Sequence, residues 1–333
     1  MRPAIQADTP LPAPDPKRPP WPGEPFTVDD RMTYLRRTPG GPGAEPAVYV
    51  HGLGGSSTNW TDLAALLAPW LAGWAIDLPG FGHSDPAPRG GYSLRLLSAR
   101  VARVIECGDR GPVHLFGNSL GGAIAVHLAA SRPELVHTLT LISPAMPDLR
   151  PKRGSDPLLP LLLVPGASVL ATRRLAGLTP HQRAIAVVNL CFADPSRVPP
   201  GRLAEAAAEV ERRNALPYAM DAFVRTLRSL IGSHLRPGPA SQWRAAGRIT
   251  APTLIVWGAQ DRLVDVSLAP RLARTIPDAG LLILEGIGHT AQLEAPEDVA
   301  RAVLGLLAST ASTASTADEA GPPGGTGLVT GVS

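Results

Sequence analysis

The chain is short of several things, and each shortage removes a class of protein. Only 2 of its 333 residues are cysteines, Cys107 and Cys191, and they lie far apart. Neither belongs to a CxxC pair or a Cys/His cluster, so a disulfide framework and a zinc site are not expected, and a reducing compartment is the simpler setting. Lysine is almost missing: Lys17 and Lys152 stand alone among 31 basic residues. With abundant Ala, Pro and Gly, that bias toward arginine reads as coding preference, so single arginines carry little functional weight. The formal net charge of +3 is small and dispersed, which argues against the concentrated basic face that nucleic acids require. No apolar run approaches the roughly 20 residues of a membrane span. The longest, "PLLPLLLVPGASVL" (157–170), is short and broken by proline. The opening "MRPAIQADTPLPAPDPKRPPWPGEP" has no continuous apolar h-region, so no secretory signal is expected and the expected location is cytoplasmic.

What is present suits a globular enzyme-sized protein. Apolar residues make up 44% and charged residues 18%, ordinary proportions for a soluble fold with a large core. Short apolar runs, "AVYV" (47–50), "GWAID" (73–77), "VHLFG" (113–117), "TLTLI" (138–142), "TLIVW" (253–257) and "LLILE" (281–285), read as buried parallel strands. Helical patterns separate them. In "SLRLLSARVARVIECGD", Leu94, Leu97, Val101, Val104 and Ile105 share one face and Gly108 follows as a stop. Such alternation makes an open, doubly wound α/β sheet, with ligands at the carboxyl ends of its strands. From about 150 to 246 the alternation stops and only helices are expected, a second layer over the sheet. The expected organisation is a Pro-rich, disordered segment over 1–25, core over 26–149, helical insert over 150–246, core over 247–308, and a low-complexity tail over 309–333.

One constellation carries chemistry. In "HLFGNSLGGAIAVHLAA" (114–130) a strand meets a helix at Ser119, with Gly117, Gly121 and Gly122 keeping the turn free of side chains. A serine raised there is a nucleophile only if a base and an orienting acid reach it. "TLIVWGAQDRLVD" sets Asp261 four residues past one strand, and "LLILEGIGHTAQLE" sets His289 four residues past the next. Ser119…Asp261…His289 is the chain order of nucleophile-elbow proteins. Asp265 and Asp148 are alternative acids. "VYVHGLGG" supplies a glycine-rich loop whose Leu53 amide, with that of Leu120, can form an oxyanion hole.

These motifs, "HGLGG" (51–55), "DLPGFGHSD" (77–85), "GNSLGG" (117–122), "WGAQDRLVD" (257–265) and "GIGHTAQLE" (286–294), resemble those of the α/β-hydrolase superfamily over residues 31–308. The resemblance implies Ser119 as nucleophile, His289 as base, Asp261 as its orienting acid, and the helical insert as a cap over the pocket. Serine at the nucleophile position sets aside relatives that use aspartate there, the epoxide hydrolases and haloalkane dehalogenases. "GNSLGG" is similar to the elbow of meta-cleavage-product hydrolases, but the loop "HGLGGSSTNW" and Thr290 after the histidine depart from that group. The favoured expectation is therefore an esterase or lipase-like enzyme acting on apolar small-molecule esters. The alternatives are carbon–carbon bond hydrolysis of a carboxylate-bearing substrate, for which Arg212, Arg213 and Arg225 are available, and a non-catalytic small-molecule receptor.

No cofactor and no metal are expected. "HGLGG" lacks the G-x-G-x-x-G of a dinucleotide fingerprint, and His114, His127, His137, His181 and His234 show no ligand spacing. His51, His83 and Asp85 are expected to shape loops. The 157–170 stretch reads as cap packing, with an acyl-chain entrance or peripheral contact with a lipid interface as the alternative.

Overall fold

The computed structural model describes residues 2–88, 91–148, 177–235 and 241–319, with side chains to residue 312. The apolar 157–170 stretch lies outside them. Nine strands form one sheet: β1 (Arg2–Pro3), β2 (Gly23–Val28), β3 (Arg31–Thr38), β4 (Glu45–Val50), β5 (Leu71–Ile76), β6 (Val113–Asn118), β7 (Val136–Ile142), β8 (Thr253–Gly258) and β9 (Ala279–Leu284). Their spatial order is β1-β9-β8-β7-β6-β4-β5-β3-β2. Only the β2–β3 and β3–β5 pairings are antiparallel. All six apolar runs of the sequence are strands, and β6 and β8 are buried along their whole length. Central parallel strands covered on both faces need no polar alternation.

Helices cover both faces. On one, α2 (Leu94–Cys107) and α3 (Leu120–Ser131) pack over the larger apolar core. The face of α2 expected from its spacing, Leu94, Leu97, Val101, Val104 and Ile105, is fully buried there. Ser93 starts that helix by accepting the Leu96 amide at 3.3 Å. On the other face, α1 (Thr61–Leu67) and a long C-terminal helix enclose a second core around Tyr49, Trp60 and Phe116.

The helical insert contains α4 (Pro180–Cys191), α5 (Pro200–Asn214) and α6 (Ala219–His234), followed by α7 (Gln242–Ala246) at the return to the core. Thr179 and Gln182 begin α4 with reciprocal side-chain-to-amide bonds of 3.2 and 2.9 Å. The insert is fastened to the core by Arg202 on α5. Its guanidinium grips Asp62 of α1 through two bonds, of 2.9 and 2.6 Å, while a third reaches Glu205 at 2.7 Å.

Both chain ends differ from expectation. The N-terminal Pro-rich segment, read as disordered over 1–25, adds β1 beside β9 and packs Ala4, Ala7 and Leu11 onto the second core. Trp21 donates its ring N–H to the Thr61 carbonyl at 3.1 Å. Proline is tolerated here because β1 is an edge strand, and the anchors are single residues without period. At the other end α8 (Leu268–Thr275) and α9 (Ala291–Glu294) precede α10, which runs Pro296–Glu319 through the start of the expected tail. Alanine is the strongest helix former, so a Ser/Thr/Ala repeat extends a helix already anchored by Val299, Val303 and Leu306.

Candidate active site

Ser119 lies between β6 and α3 with φ 54° and ψ −116°, a region that costs a non-glycine residue about 1–3 kcal/mol and persists only when its surroundings enforce it. Three backbone bonds do so. The Ser119 amide donates to Ile142 at 3.1 Å, and its carbonyl accepts from Ala123 and Ala145 at 3.0 and 2.9 Å. The glycines are needed by contact. A Cβ on Gly121 would lie well inside contact distance of the Val50 carbonyl oxygen, and one on Gly117 would collide with the Gly121 backbone. Gly121→Ala is therefore expected to lower unfolding stability by about 1–3 kcal/mol, as overpacking does, and to displace the serine. Urea denaturation and labelling of Ser119 by a fluorophosphonate check both; a variant matching wild type in both would show that the turn has slack.

His289, 3% exposed, is brought to the acid the sequence singled out. Its Nδ1 is 2.9 Å from Asp261 Oδ2, and the other carboxylate oxygen accepts the amides of Leu263 and Val264 at 2.8 and 2.9 Å. Burial alone would raise the Asp261 pKa. The facing imidazole and the two amides outweigh it and hold the carboxyl below the ordinary carboxylate range. Of the alternative acids, Asp265 turns to the Ser267 amide at 2.8 Å, and neither it nor Asp148 is the partner of the His289 ring. With Nδ1 engaged, Nε2 is the nitrogen left for a proton acceptor's work.

Asn118, a residue the sequence reading passed over, ties the serine's strand to the histidine's loop. Its Nδ2 donates to the Ile142 and His289 carbonyls, both at 3.1 Å. No hydrogen bond among the described residues engages Ser119 Oγ. The glycine-rich loop also arrives where expected. A Cβ on Gly52 would sit 3.2 Å from Ser119 Cβ, so Leu53 follows directly on the contact with the serine. Leu120 is the first residue of α3, whose first-turn amides have no intrahelical acceptor.

The other loop residues bind backbone groups. His51 Nε2 accepts the Leu78 amide at 3.0 Å, which puts its proton on Nδ1 against Gly52 O at 2.7 Å. Burial lowers its pKa and keeps it neutral, in spite of Asp77 nearby. Asp77 binds the amides of Ser57 and His83 at 2.6 and 2.8 Å, and Asp85 binds that of Met32 at 2.9 Å.

The three insert arginines behave differently. Arg212 is spent on Glu209 and Arg225 on Asp221. Arg213 reaches into the site, donating to Gly54 O at 2.6 Å beside Phe223. Burial lowers its pKa, partly offset by the Glu209 charge.

Strand register assembles one group that chain spacing concealed. Glu45, His114 and His137 place potential ligand atoms within 4.8 Å of one another, at the N-terminal ends of β4, β6 and β7 and so remote from Ser119. His114 Nδ1 meets Thr138 Oγ1 and its Nε2 meets Glu45, both at 2.8 Å. Both ring nitrogens thus have protein partners.

Residues 47–302 match the alpha/beta hydrolase family, and the chain belongs to it. Among curated proteins it is 32% identical over 277 residues to the dihydrolipoyllysine-residue acetyltransferase component of the acetoin cleaving system of Pseudomonas putida, covering 80% of this chain and 65% of that one. The chain thus spans less than two thirds of that relative. It is 30% identical to the 2-hydroxy-6-oxononadienedioate/2-hydroxy-6-oxononatrienedioate hydrolase of Cupriavidus pinatubonensis, over 81% of this chain and 89% of that one. It is 28% identical to monoacylglycerol lipase ABHD6 of Homo sapiens, over 81% and 77% of the two chains. The solved structure of Cfl2 from Burkholderia cenocepacia superposes with a TM-score of 0.73 at 22% identity, covering 91% of this chain and 98% of that one; at that identity it speaks for the fold. The protein is a hydrolase of this fold. No helix among the described residues is long and apolar enough to cross a membrane.

Proposed function

We propose that the protein is a serine hydrolase of carboxylic esters with an apolar acyl or alcohol part, and that the helical insert is its cap. The observation that carries this reading is the buried Asp261–His289 pair, 2.9 Å apart, bound through Asn118 to the strand that presents Ser119 in its strained turn. Ser119 Oγ attacks the ester carbonyl carbon as its proton passes to His289 Nε2, and Asp261 steadies the resulting imidazolium. The tetrahedral oxyanion is held by the amides of Leu53 and Leu120, each such donor being worth about 3–4 kcal/mol of barrier. Collapse breaks the ester C–O bond, and the leaving alcohol takes the proton from His289. Water, deprotonated by the same nitrogen, attacks the acyl-serine and releases the acid. A panel of 4-nitrophenyl esters of increasing acyl length tests this. Turnover that rises with acyl length supports it, and no turnover of any member by folded protein contradicts it.

Arg213 favours a second reading. One of its five donors is bound to Gly54 O, leaving a half-buried guanidinium beside the oxyanion loop that can take a substrate carboxylate. In that reading the same serine and histidine cleave a carbon–carbon bond in a vinylogous diketone acid, the type of substrate named for the Cupriavidus relative. Arg213→Met is then expected to raise KM for carboxylate-bearing substrates by about 10–100-fold, the worth of a charged hydrogen bond, and to move KM for neutral esters far less. Steady-state kinetics on a matched pair of esters, one ending in a carboxylate, makes the comparison. Equal changes for both would remove the carboxylate role.

A further inference from the structure

Glu294 has no part in the chemistry above, yet it is a buried carboxylate, 6% exposed, five residues beyond His289. Its partners come from two directions. Oε2 accepts the Gly288 amide at 2.7 Å and the Ala193 amide at 3.1 Å, and Oε1 accepts the Asp194 amide at 2.9 Å. Gly288 precedes the histidine; Ala193 and Asp194 are where the insert chain leaves α4. No arginine or lysine pairs with it among the described residues, so three aligned amides carry the compensation for its burial, an arrangement of charge-assisted bonds.

The same junction is closed by further contacts. The His289 amide donates to the Cys191 carbonyl, the last residue of α4, at 2.6 Å. A Cβ on Gly288 would collide with that carbonyl oxygen and lie 2.7 Å from the Ala193 nitrogen, so only glycine lets the two backbones meet. Arg262, next to Asp261, donates to Asn189 O of α4 at 2.8 Å. The C-terminal end of α4 is thus bound to the acid's loop and to the histidine's loop, and among the described residues the Glu294 carboxylate is the side chain whose hydrogen bonds join insert and histidine loop at once.

We infer that Glu294 is a positioning residue. It fixes the backbone on the N-terminal side of His289 and latches the insert to it, so that the imidazole points correctly only while the insert is seated. The inference rests on the reading of His289 as the catalytic base. Misplacement of a reacting group by about 1 Å costs on the order of 100-fold in rate, and Glu294→Ala frees Gly288, Ala193 and Asp194 together. Glu294→Gln keeps the shape but must turn its NH2 group toward Asp194 or toward the Gly288/Ala193 pair, losing one or two of the three bonds, and those that remain are neutral, about half as strong as charged ones.

The test uses the full chain and two readouts. The second-order rate of fluorophosphonate labelling at Ser119 reports the armed serine. The low-field proton resonance of His289 Nδ1–H against Asp261, recorded also in Ser119→Ala, reports histidine placement without any reaction. Labelling is expected to fall about 100-fold in Glu294→Ala and about 10-fold in Glu294→Gln, with the resonance lost in the first and weakened in the second, and with circular dichroism unchanged. Variants that fold and match wild type in both readouts overturn the inference. So does a Glu294→Ala that fails to fold beside a Glu294→Gln with wild-type labelling and resonance, because the residue then serves the fold alone. An unlabelled wild type that shows the resonance refutes the serine's role and leaves Glu294 to be judged by the resonance.

Discussion

Ser119→Ala is expected to reduce turnover of the best ester by about 10³–10⁶-fold, the range seen when a serine nucleophile is removed and only the oxyanion donors remain. Stability should barely change. The substitution deletes one oxygen that no described residue binds, while the backbone bonds to Ile142, Ala123 and Ala145 persist; surface-like deletions of this kind stay within about 0.5 kcal/mol. Measuring kcat/KM and the thermal midpoint on the same preparations separates the two effects. A folded variant with near-wild-type turnover would mean that another group attacks the carbonyl.

Asp261→Asn is the second large effect, expected to lower kcat by about 10⁴-fold. The carboxylate uses one oxygen for the Leu263 and Val264 amides and the other for His289 Nδ1. Asparagine can keep the amides on its single oxygen, which turns its NH2 toward the ring. The ring must then accept at Nδ1 and carry its proton on Nε2, the tautomer that cannot take a proton from Ser119. The same variant has a signature in stability. Because the folded-state pKa of Asp261 lies below the unfolded value, the ionised group adds stability above its ordinary range, near pH 4, and that share is lost as pH falls through the lowered value. The gap in unfolding free energy between wild type and Asp261→Asn should therefore narrow as pH falls below about 4. A gap independent of pH would mean that the carboxylate gains nothing from its partners.

Much of this was legible in the chain because buried parallel strands leave an apolar signature and tight turns leave a glycine signature. The runs ending at Val50, Gly117 and Trp257 fixed where loops emerge, and Ser119, Asp261 and His289 each followed such an end. Strands β2 and β3, at the antiparallel end of the sheet, carry no comparable run: in "RMTYLRRT" only Thr33, Leu35 and Thr38 are buried, too few and too polar to stand out. The N-terminal segment was opaque for a similar reason, since Ala4, Ala7 and Leu11 dock singly between prolines. Contacts across the site were the least accessible. Arg213, Arg212 and Arg225 are equivalent in sequence, and only the turn of α5 onto the Gly52–Gly54 loop singles out the first. In the sequence Glu294 is one of 28 acidic residues with nothing to mark it, although "GHTAQLE" holds both it and His289. Its role depends on Ala193 and Asp194, about a hundred positions away in the chain. The grouping of Glu45, His114 and His137 was hidden likewise, because register between three strands brings it together.

The most direct test of the account is intact-mass analysis after brief exposure to an alkyl fluorophosphonate, with peptide mapping of the adduct, on wild type and Ser119→Ala side by side. The account predicts one rapid adduct on Ser119 in the wild type and none in the variant. A folded wild type that stays unlabelled, or an adduct at another residue, would contradict an armed serine at the turn between β6 and α3.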